Sequence, residues 1–507
     1  MSIIIEFLVL IFLVFVYVWI FKSSSVLINW PMVGMIPQLL WNASNIHSFA
    51  TYVLEKSGGT FLFKGIWFVG PDFLGIAAPM DVQYILSRNF SNYHKGEEFK
   101  EIFEPFGDGI FNSDDESWSV QRNLIHSFLK DNRFELAAKD SLEQKILKDL
   151  FQVLDNASKL KSVIDIQDVF QRLTFDNICK MVLGIDPSSL CIDFHEVPFE
   201  KSFDELEMVF LYRHILPRFI WKFQKWLQIG EEKKFIKAWA IVDDFLNHCI
   251  ARKKNQILAQ EKMNGHDFDF LTFLLTKDDH QEEEKQVINS NTFLRDMAFN
   301  LLAAGRDTVG ATLVWFFWLV GNHPHVEKKI LEEIKVNLGD HGTNNLRFFS
   351  FDELKKLVYL HATLCEVLRL YPPVPFEHKM SKKSDVLPSG NFVPKNRRIL
   401  FSFYSMGRMK DIWGEDCLEF KPERWISEKG KIKHFPSYKF IAFLSGPRTC
   451  LGKDLAFLSL KAVASAVLWN YSLEFVETHQ ITPKISILLY MAKGLKVKVS
   501  KRLDSSI

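Results

Sequence analysis

Several things are missing from this 507-residue chain, and each absence removes a class of function. Charge of one sign is not in excess. Sixty-two Lys and Arg against 61 Asp and Glu leave a net +1, too little to make nucleic acid the main partner, because phosphate neutralisation needs a clustered surplus of cations. Six cysteines (Cys179, Cys191, Cys249, Cys365, Cys417, Cys450) are scattered, with no C-x-x-C. That argues against a disulfide framework and fits a reducing compartment. No Pro/Gly/Ser-rich linker, low-complexity tract or repeat divides the chain, so one large domain is simpler than the two to four, roughly, that length alone allows. No G-x-G-x-x-G occurs, so electrons or hydride have no flavin or nicotinamide site of their own here. What is abundant is phenylalanine: 47 Phe, within 14% aromatics, supply mass for a large core and for an internal apolar cavity, and composition does not separate the two uses.

Ile3 to Phe21 is apolar except for Glu6. At ~1.5 Å per residue the run comes close to the ~30 Å hydrocarbon core of a bilayer. A cleaved signal peptide is the alternative, but it wants a basic leading region, and this one carries Glu6 and no Lys or Arg. The expected organisation is a transmembrane anchor at 1–21, a proline-containing linker at 22–40 and one globular body at 41–507. Lys22 directly after the span favours a cytosolic body. The sequons at Asn42, Asn89, Asn156 and Asn470 would matter only on the luminal side.

Apolar positions at helical spacing dominate the body. They predict helices over Trp118–Leu129, Leu142–Leu154, Ile164–Leu183, Lys233–Ala259 and Phe351–Leu370. Strand signals are short. Thr60–Lys64 with Phe68–Gly70 reads as one hairpin, and Asn391–Pro394 with Arg398–Ser402 as another, turning at Pro388–Gly390. The acidic run Lys277–Lys285 reads as a solvated loop. The longest predicted helix, about Asn291 to Asn322, is apolar nearly all round and stops at His323-Pro324. Arg295, Asp296, Arg306 and Asp307 argue against a second membrane span, since charges near mid-bilayer cost several kcal/mol. The expected fold is mainly α: a large helical domain around a central long helix with a small β-sheet region, preceded by one N-terminal transmembrane helix.

The most informative stretch is Phe443-Leu-Ser-Gly446-Pro-Arg448-Thr-Cys450-Leu-Gly452, which runs into an apolar helix-like segment. Gly446 and Gly452 permit a tight turn and close backbone approach to a flat ligand. N–H groups of such a turn and the following helix N-terminus stabilise a thiolate. One thiolate without companion ligands suits haem iron better than zinc or an iron–sulfur cluster. A lone cysteine elsewhere is usually a buried small hydrophobe. Five fixed positions coincide here: Phe443, Gly446, Arg448, Cys450 and Gly452. The stretch resembles the haem signature F-x-x-G-x-R-x-C-x-G of the cytochrome P450 family, and the resemblance extends over almost the whole body.

That resemblance implies that Cys450 is the axial iron ligand and that Arg448 contacts a haem propionate. Ala304-Gly305-Arg306-Asp307-Thr308 matches the family's A-G-x-D/E-T motif, in which the acid and Thr relay protons to dioxygen; taken alone, it reads as a buried acid paired with an arginine. Gly305 then removes bulk, and a Thr308 bond to a carbonyl one turn back would distort the helix and make room. Glu366-Val-Leu-Arg369 and Pro422-Glu-Arg424-Trp425 match a structural salt-bridge network. Trp118 and Arg122 match the family's W-x-x-x-R, whose side chains bind propionates; without the other motifs Trp118 reads as core. His378, or its neighbour Lys379, stands where another propionate contact is expected.

The implied activity is that of a haem-thiolate monooxygenase using O2 and electrons from an NADPH-cytochrome reductase at the endoplasmic reticulum membrane, with Lys439 and Lys453 near the docking side. Substrate contacts are expected at Phe99–Phe111, Ala303 and Ala304, Val374–Phe376 and Ser486–Leu489. The motif forms most resemble the plant clan that oxidises fatty acids and alkanes, in particular its mid-chain alkane hydroxylase branch, which also holds members that couple phenols. Two departures stand out: Ser445 where Ala is usual, and Val309 where a second Thr is frequent, beside the oxygen site. A long-chain aliphatic substrate is expected. A phenolic alkaloid precursor is the alternative, and haem-thiolate isomerase or dehydratase chemistry a more distant one, since such enzymes typically lack the acid–Thr pair.

Overall fold

The computed structural model describes residues 26–67, 72–259, 268–276, 288–339, 346–476 and 481–502. The anchor expected at 1–21, the strand expected at 68–70 and the acidic run fall outside them. Helices used below are α1 (Asp115–Leu129), α2 (Ile166–Leu183), α3 (Pro198–Ile215), α4 (Arg218–Leu227), α5 (Gly230–Leu258), α6 (Asn291–Gly321), α7 (Val358–Leu370) and α8 (Lys453–Asn470). Strands are β1 (Thr60–Phe63), β2 (Phe73–Ile76), β3 (Tyr93–His94), β4 (Val163–Asp165), β5 (Phe376–Ser381), β6 (Asp385–Val386), β7 (Phe392–Val393), β8 (Arg398–Ser402), β9 (Tyr471–Phe475) and β10 (Lys496–Lys501).

The central helix forms as the sequence predicts. Ser290 caps α6 by accepting the Phe293 N–H, and Pro324 ends it by removing the next donor. Asp165 caps α2 in the same way, and Gly184 closes it in a left-handed conformation. The predicted helix 351–370 is two helices. Ser350 and Glu353 make a capping box for a short first helix. The Glu333 carboxylate then accepts from the Tyr359 and Leu360 N–H groups at 2.6 and 2.9 Å, starting α7 afresh. No helix among the described residues is long and apolar enough to cross a membrane.

The hairpins differ from expectation. β1 pairs antiparallel with β2, register Thr60 opposite Ile76. Pro388–Gly390 does turn a hairpin, but its arms are β6 and β7. β8 instead enters a five-stranded sheet of order β1-β2-β8-β5-β3, in which only β2 and β8 run parallel. A short apolar run does not reveal which partner it takes; here β8 is buried at Ile399 and Phe401 and so belongs inside a sheet.

Two apolar clusters share α6. Leu294 to Leu302 pack with α3 and α5, whereas Leu313 to Val320 pack with α7, α8 and the sheets. The stretch Ala303–Thr308 lies at the seam. The start of α8 reaches the same seam, with Leu451 and Leu455 against the first cluster and Phe457 in the second. Packing thus brings the two most informative motifs to one level of the body.

Candidate active site

The cysteine loop is fixed by backbone chemistry. A short 3-10 turn, Gly446–Arg448, follows Leu444 and leads into Cys450. The Cys450 N–H donates to Phe443 O at 2.9 Å, and Thr449 N–H donates to Gly446 O at 3.0 Å. Gly446 has φ +69°, and a Cβ there would sit 1.9 Å from Leu86 O. Only glycine fits, for the sake of protein packing as much as of any ligand. Ser445, unusual by sequence, is buried and shares a hydrogen bond with Ser437 Oγ at 2.9 Å. Arg122 donates to Thr449 O at 2.8 Å, tying α1 to the loop.

Cys450 keeps exposed surface although protein atoms crowd around its thiol. Burial pushes its thiol up, while the Gly452 N–H, the Arg122 guanidinium and the Lys453 ammonium favour the thiolate. The same loop carries Arg448, which donates to Ser113 O (2.6 Å) and Asp114 Oδ1 (2.9 Å) over the Trp118 ring. Lys95 pairs with Glu377 at 2.7 Å. Lys379 is buried with no partner for its Nζ, and Arg448 Nε also lacks one. Burial, then Arg448 and Lys95, hold the Lys379 ammonium well below its ordinary pKa. Three buried cations therefore face two carboxylates, and unspent donors lie near the thiol loop. An anionic group is what this cluster lacks, and the two carboxylates of a haem above a cysteine sulfur fit it.

His378 is elsewhere. Strand alternation gives Glu377 and Lys379 one face of β5 and His378 the other. The His378 ring lies 4.7 Å from Phe99 and 5.3 Å from His214. Of the two expected propionate contacts, Lys379 is the one in the cationic cluster. Lys95 and Asp114 were not anticipated; a buried Lys is invisible until its neighbours are known.

On α6, Ala304 and Thr308 are half-buried one turn apart, and Arg306 and Asp307 are fully buried. Thr308 Oγ1 donates to Ala304 O at 2.8 Å, as expected, yet the helix stays α-helical throughout. Gly305 does not open space for a ligand: a Cβ there would meet Ile178 Cδ1 at 2.5 Å, so it serves close packing against α2. Val309 packs into the core cluster. Asp307 accepts from Tyr490 Oη at 2.5 Å and pairs with Arg306 at 3.2 Å.

The expected substrate segments are partly assembled. Asn300 accepts from Phe111 N–H and donates to Phe106 O, and Asp296 accepts from Asp108 N–H, fastening the 103–111 loop to α6. Phe106 lies 5.2 Å from Phe299 and 5.8 Å from Phe210, and Phe103 lies 5.1 Å from Phe210. Val374, Ile487 and Leu488 gather at Ala311. Phe376 departs, stacking on His47 at 5.2 Å. Lys453 is exposed, whereas Lys439 lies over the Trp413 and Phe435 rings.

Comparison with known families decides the larger question. The cytochrome P450 family model matches residues 25–499. The chain belongs to the cytochrome P450 family. It is 42% identical to alkane hydroxylase MAH1 of Arabidopsis thaliana, over 95% of each chain. It is 41% identical to noroxomaritidine synthase of Narcissus aff. pseudonarcissus MK-2014, over 95% of this chain and 92% of the other. Identity to cytochrome P450 86B1 of Arabidopsis thaliana is 38%, over 94% and 86%. This P450 is a monooxygenase of a family that works through a haem held by a cysteine thiolate, with O2, a hydrophobic substrate and a redox partner.

Proposed function

We propose that this P450 hydroxylates a long-chain aliphatic substrate, alkane or fatty acid, at a haem bound through Cys450. Haem, when bound, supplies the iron at which O2 is reduced and one oxygen atom passes into a C–H bond. The residues do the rest. Arg448 and Lys379, with Trp118 and Arg122 beside them, hold the propionates, and Phe443 and Gly446 shape the loop that presents the sulfur. Thr308, its hydroxyl on the Ala304 carbonyl, and the neighbouring acid Asp307 serve as the proton relay to the oxygen site. Phe103, Phe106, Phe210 and Phe299, joined by Ile487 and Leu488, keep water from the reacting carbon. Electrons come from an NADPH-cytochrome reductase docking beside the exposed Lys453.

The apolar character of that lining carries the aliphatic reading, and 42% identity to an alkane hydroxylase supports it. A second reading, oxidative coupling of a phenolic precursor, is favoured by the 41% identity to noroxomaritidine synthase. The test is product analysis with a plant reductase and NADPH on a mixed panel of long-chain alkanes, fatty acids and phenolic precursors. Hydroxylated alkane or fatty acid is expected. A coupled phenol without aliphatic product would replace the first reading by the second.

We place the protein at the endoplasmic reticulum membrane, body in the cytosol, anchored by 1–21 and touching the bilayer through α4. That helix buries Trp221 and exposes Phe219, Phe223 and Trp226 at i, i+4 and i+7. Arg218, Lys222 and Lys225 flank the aromatic face and are themselves held by Glu101 and Glu104. Burying a large apolar side chain contributes about 1.5–3 kcal/mol, so three supply appreciable membrane affinity without the anchor. Deleting residues 1–21 is expected to leave a fraction that co-sediments with vesicles in high salt, and adding Phe219→Asp and Trp226→Asp to release it. Complete release by the deletion alone would remove α4 from the membrane.

A further inference from the structure

His378, expected at the propionates, is turned away from them by the pleat of β5 and left without that role. It is 6% exposed, and its Nε2 has no hydrogen-bond partner in the protein. A buried polar atom left unpaired is costly unless something else meets it. The rings that face it come from separate parts of the chain. Phe99, on the short helix Glu97–Ile102, lies 4.7 Å from the His378 ring. His214, in the last turn of α3, lies 5.3 Å away and meets it edge to face. Phe103 touches Phe99 at 4.5 Å and His214 at 5.4 Å. Arg213 fixes the arrangement. Its guanidinium is held by Glu232 at 2.8 and 2.7 Å and donates to the Glu101 and Ile102 carbonyls. The last turn of α3 is thereby tied to the helix that carries Phe99.

The two imidazoles differ chemically. His214 Nδ1 lies 2.7 Å from the Phe210 carbonyl oxygen, which can only accept, so this nitrogen carries the proton. In the neutral ring Nε2 then keeps a lone pair. Burial holds both rings below the ordinary histidine pKa, so both are neutral at neutral pH. His378 adds an Nε2 that pairs with nothing, His214 included. A lone pair beside an unpaired ring nitrogen calls for a group that both gives and takes a hydrogen bond. A hydroxyl does both. A hydrocarbon does neither, and a carboxylate has no proton to offer His214. The position also suits a ligand. Phe103 lies 5.7 Å from Phe106, and Phe106 lies 5.2 Å from Phe299, one turn before Ala303 on α6. The histidines thus end a row of rings that begins beside the Ala304–Thr308 stretch.

We infer that His378 and His214 form a subsite for a hydroxyl group of the substrate, remote from the reacting carbon. The inference rests on the reading of this aromatic lining as the substrate site, and it narrows that reading. Of the aliphatic candidates it favours a chain that already carries a hydroxyl, and a phenol supplies the same O–H. His214 Nε2 accepts the hydroxyl proton. His378 takes the tautomer that places its own proton on Nε2 and donates to the same oxygen. Phe99 and Phe103 keep water from the pair, so a plain hydrocarbon bound here leaves both nitrogens unpaired. That penalty is what discriminates.

Substrate binding to the haem-loaded full chain, read from the shift of the Soret band, tests this. The probes are hexadecane, hexadecanol, palmitate, and a para-alkylphenol with its alkylbenzene, all delivered in one detergent. Wild type should bind at least one hydroxyl compound about tenfold more tightly than its hydroxyl-free analogue, and palmitate should gain nothing over hexadecane. His378→Phe and His214→Phe keep a ring and drop the nitrogens. Each should erase the ratio with the carbon monoxide spectrum unchanged. His378→Gln should keep part of it, which a packing role would not allow. A wild-type ratio near one, or a ratio that survives both Phe variants, overturns the proposal. So does a histidine-dependent gain that is largest for palmitate. The aliphatic reading fails separately. Hexadecane bound and hydroxylated, with the variants silent, removes the subsite and leaves that reading standing. A histidine-dependent gain for the phenol alone keeps the subsite and favours the phenolic reading over the aliphatic one. No shift with any probe removes both.

Discussion

Cys450→Ala is expected to abolish the thiolate-type carbon monoxide spectrum and lower monooxygenase activity to background, while much of the haem binding persists. The two effects separate because different parts of the chain carry them. The sulfur sits in a loop whose shape depends on Gly446 φ, the Phe443 carbonyl and the Arg122 bond to Thr449, none of which needs the thiol. The cluster of Arg448, Lys379 and Trp118 proposed to hold the propionates is assembled from α1, β5 and the loop without using the sulfur either. Alanine would therefore leave the proposed haem clamp without its sulfur. Arg448→Ala does the reverse. It should remove charge-assisted hydrogen bonds worth about 1.5–3 kcal/mol each, leave Asp114 with the Lys95 N–H but no guanidinium, and weaken haem retention roughly ten- to a hundredfold with the thiolate spectrum intact in the loaded fraction. A thiolate spectrum surviving in Cys450→Ala would remove Cys450 as the ligand.

Most of the predicted helices were legible because their signals are local, although 351–370 divides in two. Ser290, Pro324 and an unbroken apolar pattern define α6 within about a residue, and E-x-x-R and the cysteine loop name themselves by spacing. What was not legible depends on partners distant in sequence. β1 looks for its neighbour beyond residues 68–70, and β8 joins a sheet in which β1, β2 and β3 start about three hundred residues earlier. Gly305 reads as room for a ligand until Ile178 is seen against it. His378 and Lys379 are one residue apart, and only the pleat of β5 decides which meets Arg448.

The second large effect is structural and lies on the side of the fold that supports the cysteine loop. Glu366 and Arg369 are fully buried, and every polar atom they carry is used. Glu366 accepts twice from Arg369 at 2.7 Å, from the Lys421 N–H at 3.0 Å and from Trp425 Nε1 at 2.8 Å, with Arg424 at 3.4 Å. Arg369 also donates to the carbonyls of Gly407, Cys417 and Glu419, so one guanidinium fixes three turns of the segment that precedes the loop. Glu366→Ala strands that guanidinium, the Trp425 indole and the Lys421 N–H together. Breaking one side of a buried pair costs about 3–5 kcal/mol, against a whole-domain stability of about 5–15 kcal/mol. The expected outcome is little or no haem-loaded protein at 37 °C and a broad, early thermal transition in whatever folds. Glu366→Gln should fall between, since its amide still accepts from Trp425 but cannot neutralise Arg369. Removing the exposed Lys410–Glu415 pair nearby should leave the transition where it was. Thermal melts and haem content of the three variants check the order. Glu366→Ala melting with the wild type would mean that the segment is held by its aromatic packing, with Trp413, Trp425 and Phe435 in mutual contact, and that the ion network contributes specificity rather than stability.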